Sequence, residues 1–439
     1  MRTRMGGRIP RPSPVPGRRG SRKRCTSRSV PVLDRPARTS AAGRTRARTR
    51  PATAELTRVR RRSVAERAVD RPPPPAEAVR IGQGIDHRGD HRGPRMRAGN
   101  ASGKVLITGG AGFIGSTIAS AFAERGIVPV VLDSLVTGRT EFTQGKIFYQ
   151  GDISDGDLLD EIFAAHPDIG IAVHCAALIV VPDSVSDPQR YYDVNLTGTL
   201  NLAGHLIRNG CERMVFASTA GMYRPGPDLS VSEGSSLDPQ NPYTRSKMMA
   251  ELLLEDLCSA YGLRVVSLRY LNPIGADPRM RTGLQSSRPT HALGKMIESY
   301  GLGVPFRITG TDWDTRDGTA VRDYIHVWDI ARAFCAAAAR FDSIVAPAGP
   351  DGRGSGYQVI NLGTGGGTTV RELVEAFRGV VGDGFQVEEA PARPGDVVGA
   401  YVNPAKALEL LGWKPEYSIE DAIRHSLEWA ARRSRMDAA

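Results

Sequence analysis

The chain lacks a long hydrophobic run. Its most apolar stretch, "IGIAVHCAALIVV" (169–181), contains a histidine and falls short of the ~20 residues that cross a bilayer. A membrane-spanning helix is therefore excluded and no membrane partner is expected. No apolar h-region lies near Met1, which argues against a secretory signal. Cysteine is scarce. Cys25, Cys175, Cys211, Cys258 and Cys335 show neither CxxC nor Cys/His spacing, so no metal site is expected. Their odd number and scatter fit free thiols in a reducing cytoplasm. No internal repeat is apparent.

Acidic residues are nearly missing from the first hundred positions, which hold 27 Lys+Arg against 7 Asp+Glu. The other 339 residues hold 31 basic and 40 acidic side chains. The net charge of +11 thus belongs to the N-terminal segment, and the body is mildly acidic, which argues against nucleic-acid binding by the body. Residues 1–102 are rich in Arg, Pro, Ser and Gly, with few aromatic or large aliphatic residues. Such a segment cannot bury enough apolar surface to offset chain entropy, so a disordered basic tail is expected. Its composition suits nucleic acid, an anionic membrane surface, an organellar transit peptide, or a bland reading in which it has no specific role or comes from a start codon placed too far upstream. The last is the reading adopted here.

What is present after Gly103 is an alternation. "KVLIT" (104–108) runs into "GGAGFIG" (109–115). "STIASAFAERG" (116–126) then carries Ile118, Ala119, Phe122 and Ala123 at helical spacing, and "VPVVLD" (128–133) follows as a strand. This is a βαβ unit with a parallel sheet. Strands at 147–153, 171–177, 213–219 and 264–270 alternate with helices at 155–166, 188–209 and 243–261. The fold class is α/β: a doubly wound, Rossmann-type parallel sheet over 103–272, with a smaller α/β substrate lobe over 273–439. Segments 321–340 and 357–383 are expected to return to the sheet domain.

The glycine turn suits a dinucleotide. Gly110, Gly112 and Gly115 satisfy G-x-G-x-x-G, and Gly109, Gly112 and Gly115 satisfy G-x-x-G-x-x-G. The glycines permit a tight turn, close approach of backbone N–H groups to a pyrophosphate, and close helix–strand packing. Asp133 ends the second strand, where a carboxylate accepts both adenosine ribose hydroxyls and repels a 2′-phosphate. NAD is therefore the expected cofactor. "GTGGGT" (363–368) lacks a following Lys-Ser/Thr and reads as a structural turn.

"NPYTRSK" (241–247) places Tyr243 and Lys247 one helical turn apart, on one face. A free phenol has a pKa near ~10. A positive charge about 4–6 Å away contributes roughly 3–4 kcal/mol at an effective dielectric of ~20, and an oxidised nicotinamide adds a second charge. Together they are expected to bring Tyr243 toward the range of a useful general base. Thr219 ends the strand 213–219, at the sheet edge where such folds hold ligands. Its hydroxyl can bind the oxygen that Tyr243 deprotonates. This set suits hydride transfer at a secondary alcohol.

The constellation resembles the extended branch of the short-chain dehydrogenase/reductase superfamily and, within it, the UDP-glucose 4-epimerases. The resemblance runs from about Lys104 to about Trp429. It rests on "GGAGFIGS", "DS" at 133–134, "GDI" at 151–153, "HCAAL" at 174–178, "YYDVNLTGTLNL" at 191–202 and "NPYTRSK". It continues through "RYLNPIGADP" at 269–278, "DGTAVRDYIHVWDIA" at 317–331, "NLGTGGGTTVRELV" at 361–374 and "RPGD" at 393–396. It implies that Gly109, Gly112, Phe113, Ile114, Gly115 and Asp133 hold NAD with Tyr243 and Lys247, that Asp152 and Ile153 contact adenine, and that Asn195 lies near the cofactor. It places Asn272 on the sugar nucleotide, Arg322 and Arg393 on the diphosphate, and Asp396 on the uridine ribose. His174 and His326 are expected to be structural. The implied reaction has Tyr243 take the 4′-hydroxyl proton as hydride leaves C4′; the 4-keto sugar turns, and hydride returns to its other face.

Three departures stand out. Ile179 occupies a position where many relatives have Lys, which implies a weaker hold on NAD. Leu271 replaces the aromatic residue of "YFNP". Ala400, seven residues after Arg393, is small where narrow members have Tyr, which implies that UDP-N-acetylglucosamine and UDP-N-acetylgalactosamine are accepted beside UDP-glucose and UDP-galactose; a one-residue slip of the alignment would put Tyr401 there instead. Ala220 and Gly221 follow Thr219, where dehydratases need an Asp-Glu pair. The alternatives left open are an epimerase or decarboxylase of the UDP-glucuronate or UDP-xylose type and a non-catalytic NAD-binding regulator. Relatives are commonly homodimers, and the helices at 188–209 and 243–261 are the expected interface.

Overall fold

The computed structural model describes residues 103–286, 289–346, 355–393 and 396–437. The expected basic tail, 1–102, lies outside the described residues. Seven strands form one parallel sheet: β1 (Lys104–Thr108), β2 (Val128–Asp133), β3 (Ile147–Gln150), β4 (Ile169–His174), β5 (Arg213–Thr219), β6 (Arg264–Tyr270) and β7 (Tyr357–Asn361). Their spatial order is β7-β6-β5-β4-β1-β2-β3. The order reverses at β1, so the chain winds outward twice from the centre, and the crevice at that switch point is the place for a ligand. The Rossmann-type expectation holds.

Because both faces are covered, the strands read as continuous apolar runs. The period of two sorts their side chains. Val105, Ile107, Val131, Val173 and Val215 enter one core with Ile118, Phe122, Ile330 and Phe334. Leu106, Val130, Leu132, Ala172 and Met214 enter the other with Leu159, Leu202, Leu206, Ala250 and Leu254. The helices α1 (Phe113–Glu124), α2 (Gly156–Ala165), α3 (Gly198–Arg208) and α4 (Pro242–Tyr261) supply most of these partners.

The expected helix at 188–209 is interrupted. It comprises Pro188–Tyr192, a π-turn at Asp193–Thr197, and α3. Such wide turns collect at functional positions, and this one carries Asn195. The smaller lobe is built from α5 (Ala292–Leu302), the parallel pair Phe306–Thr309 and Val387–Ala390, α7 (Val370–Val381) and α8 (Ile419–Asp437), with α6 (Val327–Ala339) returning to the large sheet. Ile274, Leu293, Met296, Phe306, Phe377, Phe385 and Ile423 form its core.

Candidate active site

The glycine turn is shaped for close approach. Gly109 has φ of +70°, and a Cβ there would stand 2.6 Å from the Ala176 nitrogen. A Cβ on Gly115 would stand 2.2 Å from the Gly109 carbonyl oxygen. Gly112 differs: its nearest neighbour would be that same oxygen at 3.4 Å, leaving open space. Gly112 caps α1 without a side-chain hydrogen bond, and the first turn, starting at Phe113 and Ile114, has no acidic residue. Its N–H groups and dipole therefore favour an anion. The Asp133 carboxylate is buried and accepts from the Ala111 N–H at 2.9 Å and the Leu135 N–H at 2.8 Å, which fixes its direction beside the turn. An open phosphate cradle with an oriented carboxylate at the end of β2 fits NAD.

The reactive groups gather where α4 meets the C-terminal end of the interior strand β5. Asn241 caps α4 by accepting from the Thr244 N–H at 2.9 Å, and Pro242 opens the helix. That fixes the first turn, and with it Tyr243 and Lys247. The buried Lys247 Nζ donates to the Ala217 carbonyl at 2.9 Å and lies 4.5 Å over the Phe216 ring. Burial lowers its pKa to about 8. Thr219, at the end of β5, accepts from the Gly221 N–H at 3.1 Å, and its hydroxyl lies near enough to Tyr243 to pull the phenol pKa down. The three residues are thus brought together.

Without the nicotinamide charge, the surroundings of Tyr243 favour the neutral phenol. Burial dominates at Tyr243 and pushes its pKa up to about 12, against a smaller downward pull from the Thr219 hydroxyl. Lys247 is not among the groups acting on it. The ammonium is turned to the Ala217 carbonyl near the end of β5.

Asn195 spends its side chain on Leu178 and Ser246. Its Oδ1 accepts from the Leu178 N–H at 2.8 Å, and its Nδ2 donates to the Leu178 carbonyl and the Ser246 hydroxyl, both at 3.0 Å. It ties the segment after β4 to α4, beside Lys247. Ile179, next in that segment, is 59% exposed. Asp152 is exposed and accepts from Ser154. The Ile153 side chain is buried in the core against Gly198, so its main chain is what it can offer a ligand.

The diphosphate candidates differ in readiness. Arg322 donates to the carbonyls of Val321 at 2.8 Å, Val397 at 3.2 Å and Val398 at 3.3 Å. Among the described residues it has no carboxylate within ion-pair distance, so a held guanidinium retains its charge for an anion. Arg393 instead pairs in bidentate fashion with Asp396, at 3.1 Å for both Nε–Oδ2 and Nη2–Oδ1. Asn272 donates its Nδ2 to the Asp323 carbonyl at 3.2 Å, leaving Oδ1 for another partner. Leu271 and Ala400 pack on one small cluster with Ala220, Tyr223, Val231 and Val402. Tyr401 turns elsewhere, toward Gly367.

Two residues were not singled out in the sequence. Asp323 accepts from the Thr364 N–H, the Thr364 hydroxyl and the Val402 N–H, joining the 363–368 turn to the segment after Ala400. Burial raises its pKa to about 6. Its place beside Arg322 was the available signal. Glu251 lies buried one turn beyond Lys247; a carboxylate four residues on, along the buried side of the helix, was the signal there. His174 bonds Thr108 and Thr199, and His326 bonds His425 and the Trp328 N–H, so both rings are satisfied. A cleft of about 450 Å³ lined by Phe113, Pro273, His291 and Trp429 contains none of Tyr243, Lys247, Thr219 and Arg322.

A family model described as NAD dependent epimerase/dehydratase matches residues 105–363. The chain belongs to this family. A UDP-glucose 4-epimerase of Rhizobium meliloti (strain 1021) is 39% identical over 331 residues, spanning 75% of this chain and 98% of that protein. The crystal structure of UDP-glucose 4-epimerase from Brucella ovis in complex with NAD is 36% identical, with a TM-score of 0.68 over 74% of this chain and 98% of that one. The enzyme from Bifidobacterium longum, solved with NAD+ and UDP, is 32% identical with a TM-score of 0.67, over 75% and 98%.

Proposed function

We propose that this chain is an isomerase, a UDP-glucose 4-epimerase that inverts C4 of a UDP-hexose with NAD. The observation that carries the reading is the convergence of Tyr243, Lys247 and Thr219 at the end of β5, within a family whose relatives bear that name. Bound NAD supplies the acceptor and donor of hydride. Thr219 orients the sugar hydroxyl, Tyr243 takes and returns its proton, and Lys247 holds a positive charge beside the end of β5. Arg322, with its charge unspent, anchors the nucleotide diphosphate, and Arg393 joins it by exchanging Asp396 for phosphate. Asp396 is then released toward the ribose, and Asn272 offers Oδ1 to the nucleotide sugar. Tethering the nucleotide lets the 4-keto sugar turn without escaping.

Ala400 is small and packs with Leu271 on one cluster, which supports turnover of N-acetylated sugars. Leu200, Met249 and Leu252 are exposed on α3 and α4, which supports a homodimer through those helices. The smaller lobe, 273–439, takes the nucleotide. Among the described residues no helix is long and apolar enough to cross a membrane, and four described cysteines are free, which supports a cytoplasmic location. Any nucleic-acid contact is left to residues 1–102.

The test is incubation with UDP-galactose or UDP-glucose, with and without added NAD. Interconversion that Tyr243→Phe lowers by at least about 100-fold, with the fold retained, is the expected result. No interconversion by the wild-type chain in either condition sinks the proposal.

A further inference from the structure

Behind the reactive groups lies a buried ion pair that the reaction described above does not use. Glu251 follows Tyr243 by eight residues and Lys247 by four, on the same helix. Its side chain is almost wholly buried. Oε1 accepts from the Ser218 hydroxyl at 2.5 Å and the Ser267 hydroxyl at 2.8 Å. Arg269 Nε lies 3.0 Å from Oε1 and 3.2 Å from Oε2, and its Nη2 also donates to Oε2. Arg269 in turn lies 4.8 Å over the Tyr223 ring. Acceptance from a guanidinium and two hydroxyls is the bonding of an ionised carboxylate.

The contacts make a ladder. Three successive residues of β5 each meet one residue of α4: Ala217 meets Lys247 through its carbonyl, Ser218 meets Glu251, and Thr219 meets Tyr243. The next strand contributes Arg269 opposite Ser218. We propose that Glu251 is a positioning residue for the proposed epimerase reaction: its carboxylate, fixed between β5, β6 and α4, is the counter-charge that keeps Lys247 cationic and seated against Ala217.

The surroundings single it out. The groups near Lys247 are Tyr243 and Glu251 on α4, His174 and Cys175 at the end of β4, and the Phe216 ring and Ala217 carbonyl on β5. Arg269 and Tyr270 lie on β6. Burial keeps the His174 imidazole neutral at about 3 and the Cys175 thiol protonated at about 12, and it raises both tyrosines. Burial lowers Lys247 most, and Cys175 and then Glu251 act the other way; of those two, Glu251 is the one bonded as an ionised group, by Arg269 and two serine hydroxyls. Nothing about Glu251 requires contact with substrate, so its loss should act on kcat more than on KM.

The inference rests on the epimerase reading, and the experiment separates the two. The pH dependence of kcat and KM is measured for wild type, Glu251→Gln and Glu251→Asp, with thermal melts beside it. Gln keeps the shape and removes the charge. The expected result is an alkaline limb moved down by about one pH unit in Glu251→Gln, kcat at neutral pH reduced at least about tenfold, KM within about threefold, and a limb restored toward wild type in Glu251→Asp. An unmoved limb in Glu251→Gln, or a shift that Asp fails to reverse, overturns the role while leaving the epimerase reading intact. An inactive wild type overturns the epimerase reading instead. Should Glu251→Gln not fold, Ser218→Ala carries the test by removing the 2.5 Å donor. There kcat should fall at least about threefold at constant KM, and an unchanged kcat overturns the role.

Discussion

Lys247 is where catalysis and stability oppose each other. It is 3% exposed, and its pKa falls to about 8 from 10.5 through burial. Between those values the unfolded chain binds more protons than the folded one, so stability rises with pH through that window. Below it the buried charge costs about 3 kcal/mol relative to a solvated one. Lys247→Met should therefore lower kcat at least about 100-fold, while its melting temperature relative to wild type is highest near pH 7 and the gap narrows between pH 8 and 10. Parallel thermal melts across that range check it; a constant gap would show that the ammonium is not held against burial. Ala400 is the second residue-scale case. Because it packs on the cluster that includes Leu271, Ala400→Tyr should cut turnover of UDP-N-acetylglucosamine at least about tenfold relative to UDP-glucose. Coupled assays on both sugars read the ratio, and an unchanged ratio removes Ala400 from the pocket wall.

At the scale of elements, the turn into α1 separates glycines by what they do. A methyl group at Gly115 meets the Gly109 carbonyl at 2.2 Å, whereas at Gly112 it meets only that oxygen at 3.4 Å. Gly115→Ala should distort the turn and cost stability at the scale of core overpacking, about 1–3 kcal/mol. Gly112→Ala should melt within about 2 °C of wild type and bind NAD at least about tenfold more weakly, because its methyl occupies phosphate space. Thermal melts and NAD titration distinguish them. This turn was legible in the sequence because glycine spacing and flanking periodicity are local. So was α4, through its cap and the Tyr243–Lys247 spacing. The π-turn at Asn195 was not legible, since one extra residue in a helical turn leaves the apolar pattern nearly intact. Nor were the partners of Asp323 and Glu251, which come from Thr364, Val402, Ser218 and Arg269, remote in sequence. The direction of the Lys247 ammonium was not legible for a related reason. Spacing gives the face that Lys247 occupies, but the direction of its ammonium depends on a carbonyl of another strand.

At the scale of the whole molecule, the helix that carries Tyr243 and Lys247, and α3 with it, also carries uncovered apolar surface. Leu200 is 45% exposed on α3, and Met249 and Leu252 are 39% and 53% exposed on α4. The other side of α4 holds Tyr243, Lys247 and Glu251, so pairing two copies of these helices across a two-fold axis would cover the apolar side and stiffen the catalytic one. Met249→Glu combined with Leu252→Glu places like charges on that surface in both copies. Sedimentation velocity should show wild type as a dimer and the double variant as a monomer. Its kcat should fall by several-fold, because α4 loses the support that holds its first turn. A wild-type monomer at micromolar concentration would remove the dimer, and a dimeric double variant would move the interface to another face.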